Sequence, residues 1–169
     1  MREKNKIDRI NRIDRMNNKK RIKIVAVGNT LRGDDGVGPA VIERLRFMGL
    51  PENIALVDVG ADPLDITEHL VDVDKVIVID AARMGAAPGE LAIFHPEDIS
   101  EHPGGNPFST HAYGLAEGFE LARALGCLPE DVHIIGVQPE QYGMAAGLSS
   151  AVAARIPEII KIVMEEVLS

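Results

Sequence analysis

The sequence predicts an α/β fold: a single three-layer domain with a mostly parallel five-stranded sheet, one antiparallel edge strand and helices on both faces. Three observations carry this. Apolar strand-like runs alternate with amphipathic helical stretches along the chain. The first and third runs, Ile22 to Val27 and Lys75 to Ala82, are almost continuous in Ile, Val and Ala, the pattern of strands covered on both faces. Polar or acidic residues follow these runs at their carboxyl ends, where open parallel sheets gather ligand sites.

The strand Ile22 to Val27 leads into the loop Gly28-Asn29-Thr30-Leu31-Arg32-Gly33-Asp34-Asp35-Gly36-Val37-Gly38. Its glycines allow close approach of a ligand or another chain. They do not follow G-x-G-x-x-G, and no Gly-Lys-Ser/Thr follows for a phosphate-binding loop. The adjacent carboxylates of Asp34 and Asp35 repel phosphate and attract a cation, a proton or a peptide nitrogen. Pro39 fits the first position of helix one, Pro39 to Phe47, which leaves both aspartates in the loop with free side chains. The plainer reading is that one aspartate caps the helix and the other is solvated.

Gly49 closes that helix, and Ile54 to Val59 forms the second strand. Gly60-Ala61-Asp62-Pro63 turns into helix two, Leu64 to Val71. The third strand carries Asp80 near its carboxyl end. A lone carboxylate finishing an apolar strand is costly to bury unpaired, so it caps, pairs with a base or holds a metal. Pro88 and Gly89 lead to a short strand, Glu90 to Phe94, expected to run antiparallel at the edge. His95 to Phe108 is rich in Pro, Gly, Asn and His and reads as a long functional loop. Ser109 or Thr110 caps helix three, His111 to Leu125, with Leu115, Phe119, Leu121 and Ala122 inward. At that first turn the positive end of the helix dipole favours a neutral His111 imidazole, the form that binds metal or accepts a proton. Val132 to Val137 is the last strand and exits through Gln138-Pro139-Glu140. Ser149 then caps a final amphipathic helix to Leu168, which Pro157 bends or restarts.

Composition bounds the function. A chain of 169 residues suits one domain, with residues 22–169 as its body and 1–21 as a basic, flexible N-terminal extension. Residues 1–23 hold ten Lys/Arg against three Asp/Glu, so +7 lies there and −15 elsewhere within the total of −8. An acidic body argues against a nucleic-acid groove. Ile7, Ile10, Ile13 and Met16 recur near helical spacing; the extension reads either as a dispensable leader or as an arm for an anionic partner. No apolar run approaches the ~20 residues of a membrane span, and no signal-peptide core is present, so a cytoplasmic, membrane-free protein is expected. Cys127 is the only cysteine; it reads as a small buried residue after helix three in a reducing compartment.

Asp35, Asp80 and His111 therefore occupy three equivalent places that a parallel sheet can bring to one edge. Two carboxylates and an imidazole with open positions suit zinc, nickel or a similar ion. The segments Ile24 to Gly38, Ile79-Asp80-Ala81 and Ser109-Thr110-His111-x-x-Gly114-Leu115, taken in that order, resemble the hydrogenase maturation endopeptidases, and so does the exit Val137-Gln138-Pro139-Glu140. The resemblance spans about Ile22 to Leu168. It implies a peptidase that removes the C-terminal extension of a nickel-iron hydrogenase large-subunit precursor after nickel insertion. It also implies that Asp35, Asp80 and His111 contact the metal, with nickel supplied by the substrate. On that reading nickel is a recognition ion or a Lewis acid, or else Asp35 or Asp80 is a general base. Protonation of His111 at or below ~6.5 should then weaken metal contact and activity together. Three rival readings are a domain in which Asp35, Asp80 and His111 are unrelated caps and ion pairs, a nickel carrier without hydrolase activity, and a peptidyl-tRNA hydrolase-like esterase. The last lacks its Pro-Gly continuation and its His-Asn pair here.

Overall fold

Alternating side chains along the strands sort the core into two layers. The structure, a computed structural model, describes residues 19–100 and 112–169, with the backbone alone for residues 100, 112 and 113. Residues 1–18 and 101–111 lie outside it, and with them the Ile7, Ile10, Ile13 and Met16 stripe, the Ser109 or Thr110 cap, and His111.

Five strands, β1 (Ile22–Ala26), β2 (Ile54–Asp58), β3 (Lys75–Ala81), β4 (Leu91–Phe94) and β5 (Asp131–Val137), form one sheet in the order β2-β1-β3-β5-β4. β1, β2, β3 and β5 run parallel, and β4 pairs antiparallel with β5 at the edge, as expected. Ile22, Ile24, Ala26, Ile77, Ile79 and Ala81 face one layer. This layer is covered by α1 (Val37–Arg46), α4 (Ser150–Ala153) and α5 (Ile156–Leu168). Val25, Val27, Val76, Val78, Val132 and Ile134 face the other, under a 3-10 helix (Pro63–His69) and α3 (Ala112–Ala124). The two-residue period of a strand and the apolar stripe of each helix are therefore satisfied on both faces. Among the described residues no helix is long and apolar enough to cross a membrane.

Local chemistry explains where the elements depart from expectation. α1 begins at Val37, so Pro39 is its third residue and not its first. Proline is tolerated there because first-turn N–H groups have no partner within the helix. Helix two is a 3-10 segment: Asp62 caps it by accepting from Leu64 N, and Thr67 Oγ1 bonds back to the Leu64 carbonyl at 2.9 Å. The long loop after β4 starts with a short helix, α2 (Pro96–Ser100), and is not wholly loop. His95 N donates to Asp98 Oδ2 at 2.7 Å, which is half of a capping box, and Pro96 opens the helix. Leu121 is 45% exposed; the buried stripe of α3 is Leu115, Phe119 and Ala122, and Leu121 sits one step off it. Cys127 is half-buried against the second layer. The final helix is two pieces, α4 and α5, with Ser149 Oγ accepting from Val152 N and Pro157 in the first turn of α5. Proline cannot donate to the preceding turn, which ends α4.

The amino edge of the sheet is closed by charge. Lys75, 1% exposed at the start of β3, reaches Glu166 Oε2 at 2.9 Å, Ser169 Oγ at 2.6 Å and Asp131 Oδ2 at 3.6 Å. Arg21 likewise pairs with Asp74 at 3.4 Å. Burial pushes the Glu166 carboxyl up, but the hydrogen bond from Lys75 and the nearby His133 ring outweigh it and hold Glu166 below its ordinary value of 4.5. A carboxyl that is more acidic in the folded chain contributes stability above its unfolded pKa and loses it as pH falls through the folded value. Thermal melting should therefore decline more steeply between about pH 5 and 3 in the native chain than in Glu166→Gln. Parallel pH profiles would show that the pairing does not couple to folding.

Candidate active site

β1 and β3 are neighbours in the sheet, yet β1 feeds a helix on one face while the segment after β3 reaches α3 on the other. Such a reversal opens a crevice beyond the carboxyl ends of the two strands. Asp35 and Asp80 border it. Val27 N donates to the Ile79 carbonyl at 3.0 Å, which fixes the exit of β1 beside the residue before Asp80. The chain then turns at Gly28, with φ 135°, and folds back as a 3-10 turn (Asp34–Gly36). A Cβ on Gly28 would stand 1.8 Å from the Asp35 carbonyl oxygen, so only glycine fits.

The turn packs against β3, and Gly38 seats the start of α1 where a Cβ would lie 2.7 Å from the Ile79 carbonyl oxygen. Asp35 is 0% exposed, and its Oδ2 accepts from Asn29 N at 3.1 Å. Asn29 Oδ1 in turn accepts from Leu31 N at 2.9 Å, so the Gly-Asn pair shapes the loop and holds the carboxylate. The expectation that both aspartates have free side chains is overturned: both are buried and bonded.

Asp80 is 1% exposed and alternates with Val76 and Val78, so it faces the α3 layer. α3 begins at Ala112, one residue after His111, and its first turns lie at the same edge: a Cβ on Gly114 would be 2.4 Å from Pro63 Cγ, just beyond β2. The structure thus brings Asp35 and Asp80 to the edge where α3 begins, and His111 lies outside the described residues. Among the described residues no group of three His, Cys, Asp or Glu could hold a metal ion. A carboxylate in the turn after β1 and one near the end of β3 are ligand types that suit a divalent cation keeping ligands of its own.

Asp34 does a different job. Its Oδ2 accepts from Glu140 N at 2.8 Å and Gln141 N at 3.0 Å, and its Oδ1 from Ser149 N at 2.7 Å. One carboxylate thereby clamps the loop after β5 and the cap of α4 to the turn bearing Asp35. Gly33 N adds a bond to the Ala145 carbonyl at 2.9 Å. Tyr142 Oη donates to the Ala81 carbonyl at 3.0 Å, and Gln138 Oε1 accepts from Met84 N at 2.7 Å, so the same loop is tied to the exit of β3. The Asp34, Gln138 and Tyr142 contacts escaped sequence reasoning because each spans more than fifty residues.

A family model described as hydrogenase maturation protease matches residues 39–166, a span that includes Asp80 and His111. The chain belongs to the hydrogenase maturation protease family. It is 35% identical over 157 residues to a putative hydrogenase maturation protease of Methanocaldococcus jannaschii, covering 88% of this chain and 97% of that protein. It is 32% identical over 149 residues to the hydrogenase expression/formation protein HoxM of Azotobacter vinelandii, covering 85% of this chain and 70% of that one. The match to HupD of Bradyrhizobium diazoefficiens, 32% identical over 120 residues, spans 70% of this chain and 62% of that protein. Among solved structures, the hydrogenase maturating endopeptidase HybD of Escherichia coli aligns with TM-score 0.75 and 27% identity, over 86% of this chain and 90% of that one. The maturation protease HycI of Thermococcus kodakarensis aligns with TM-score 0.73 and 26% identity, over 90% and 95%. The five-stranded sheet is therefore the fold of this protease family, and Asp35 and Asp80 lie at its switch point.

Proposed function

We propose that this family member is the endopeptidase that removes the C-terminal extension of a nickel-iron hydrogenase large-subunit precursor after nickel insertion, and that it recognises the nickel held by that substrate. The observation that carries the reading is two buried carboxylates beyond the carboxyl edge of the sheet: Asp80 near the end of β3, and Asp35 in the turn that packs against β3 after the β1 loop. Buried acids need hydrogen-bond donors, a cation or a proton to offset the loss of water, and a metal-bearing substrate offers the cation.

The nickel belongs to the substrate, held by its thiolates, and Asp35, Asp80 and His111 are the groups of this chain proposed to meet it. Two oxygen donors and one nitrogen donor complement a thiolate-bound ion without displacing the thiolates. Peptide hydrolysis also needs an acceptor for the proton of the attacking water, and a carboxylate at this edge supplies it. Asn29 N on Asp35 Oδ2 and the Asp34 clamp keep the loop rigid while the peptide is in place. The reaction is assigned to the cytoplasm, where the lone Cys127 stays reduced.

The test mixes the protein with the precursor from its own source, nickel-loaded and nickel-free, and weighs the products by mass spectrometry. One defined C-terminal cut, made only on the nickel-loaded precursor, is expected. A cut independent of nickel would remove the recognition role. Binding without any cut would make the protein a nickel carrier.

A further inference from the structure

The chain leaving β3, just past Asp80, also carries a cation. Arg83 lies three residues beyond Asp80, is exposed, and places its guanidinium carbon 4.6 Å from the centroid of the Tyr142 ring. Tyr142 is itself fixed between the loops that carry the two acids: its hydroxyl donates to the carbonyl of Ala81, next to Asp80, and its backbone bridges to Gly33, two residues before Asp35. Arg83 is thus oriented by stacking, and among the described residues it makes no ion pair. Arg21, Arg123 and Arg155 are paired with Asp74, Glu97 and Glu158, whereas Arg32, Arg44 and Arg46, like Arg83, form no ion pair among the described residues; what sets Arg83 apart is the Tyr142 ring it stacks on. A planar fork of N–H donors, held in place and left without an anion, matches a carboxylate.

Resting on the proposed function, we infer that Arg83, stacked on Tyr142, binds a carboxylate of the precursor's C-terminal extension and so helps deliver that segment to Asp35 and Asp80. A C-terminal extension always ends in one carboxylate and can carry others on Asp and Glu side chains. Such a peptide must approach a body of net −15 and an edge with two acids. A cation on the segment leaving β3 offsets the repulsion and sets which end of the peptide lies where. Arg83 is a specificity residue on this account and takes no part in the bond cleavage.

The experiment measures cleavage of the nickel-loaded precursor by the full chain and by Arg83→Gln and Arg83→Lys. Three substrates are compared: the native extension, one whose C-terminal carboxylate is amidated, and one whose Asp and Glu side chains are changed to Asn and Gln. Arg83→Gln is expected to raise KM roughly tenfold with kcat within about twofold, and Arg83→Lys to fall between. The difference between the native chain and Arg83→Gln should vanish on whichever altered substrate lacks the bound carboxylate, which tells the terminal group from a side chain. An unchanged KM overturns the inference, as does a fall in kcat alone, which is what loss of a merely structural Tyr142 contact would give. A difference that survives both substrate changes also overturns it. If the native chain cuts no precursor at all, the proposed function fails first and the inference falls with it.

Discussion

Asp80→Asn is expected to slow precursor cleavage by about 10²–10³-fold in kcat, the scale of losing one preorganised electrostatic group at a reacting centre. The same substitution should leave the melting temperature unchanged or raise it. The carboxylate is 1% exposed and follows Lys75-Val-Ile-Val-Ile, whose apolar side chains are all fully buried. A neutral isostere at such a place relieves the desolvation of a charge. Asp35→Asn should behave alike, because an amide oxygen can still accept from Asn29 N while the charge is gone. Time courses by mass spectrometry and thermal melts on the same preparations decide it. A variant that melts early and still cuts would make both acids structural, and the site would have to be sought elsewhere.

Most of the fold was legible because burial on two faces leaves a plain trace. β1 and β3 read as apolar runs, β4 read as an edge strand from its short length and its Pro-Gly lead, and the sequence order of strand and helix implied parallel pairing. Asp80 stood out in the sequence for the opposite reason, as an acid near the end of an apolar run, and Asp35 as one of two adjacent acids in a glycine-rich loop; both are buried in the fold. What stayed hidden depends on partners distant in sequence or on small local competitions. The 3-10 form of residues 63–69 turns on one Thr67 hydroxyl bonding back to Leu64. The short helix after β4 turns on His95 and Asp98, three residues apart, inside a stretch whose prolines and glycines read as loop. Asp35 stood apart from Asp34 in the sequence through the resemblance, which left open what Asp34 does; the fold shows the difference: Asp35 takes its bond from Asn29 nearby, while Asp34 reaches residues more than one hundred positions away.

That separation gives the largest stability effect expected of any single site here. Asp34→Ala should destabilise the chain by about 3–5 kcal/mol, because it removes every acceptor from the N–H groups of Glu140, Gln141 and Ser149 that the carboxylate now serves. Each orphaned donor costs about 1–3 kcal/mol when buried, and water entering the vacated space recovers part of the total. Asp34→Asn should fall between, since its amide offers one acceptor and turns two donors toward a site that already supplies donors. Urea denaturation of the three proteins reads the difference as a shift in midpoint. The loss should also reach the chemistry: without the clamp the 138–149 loop no longer braces the turn bearing Asp35, so cleavage should drop at temperatures where Asp34→Ala is still folded. A variant within about 1 kcal/mol of the native chain would mean that water replaces the carboxylate without penalty. Asp34 would then be neither a clamp nor the reason the loop after β5 lies against the site.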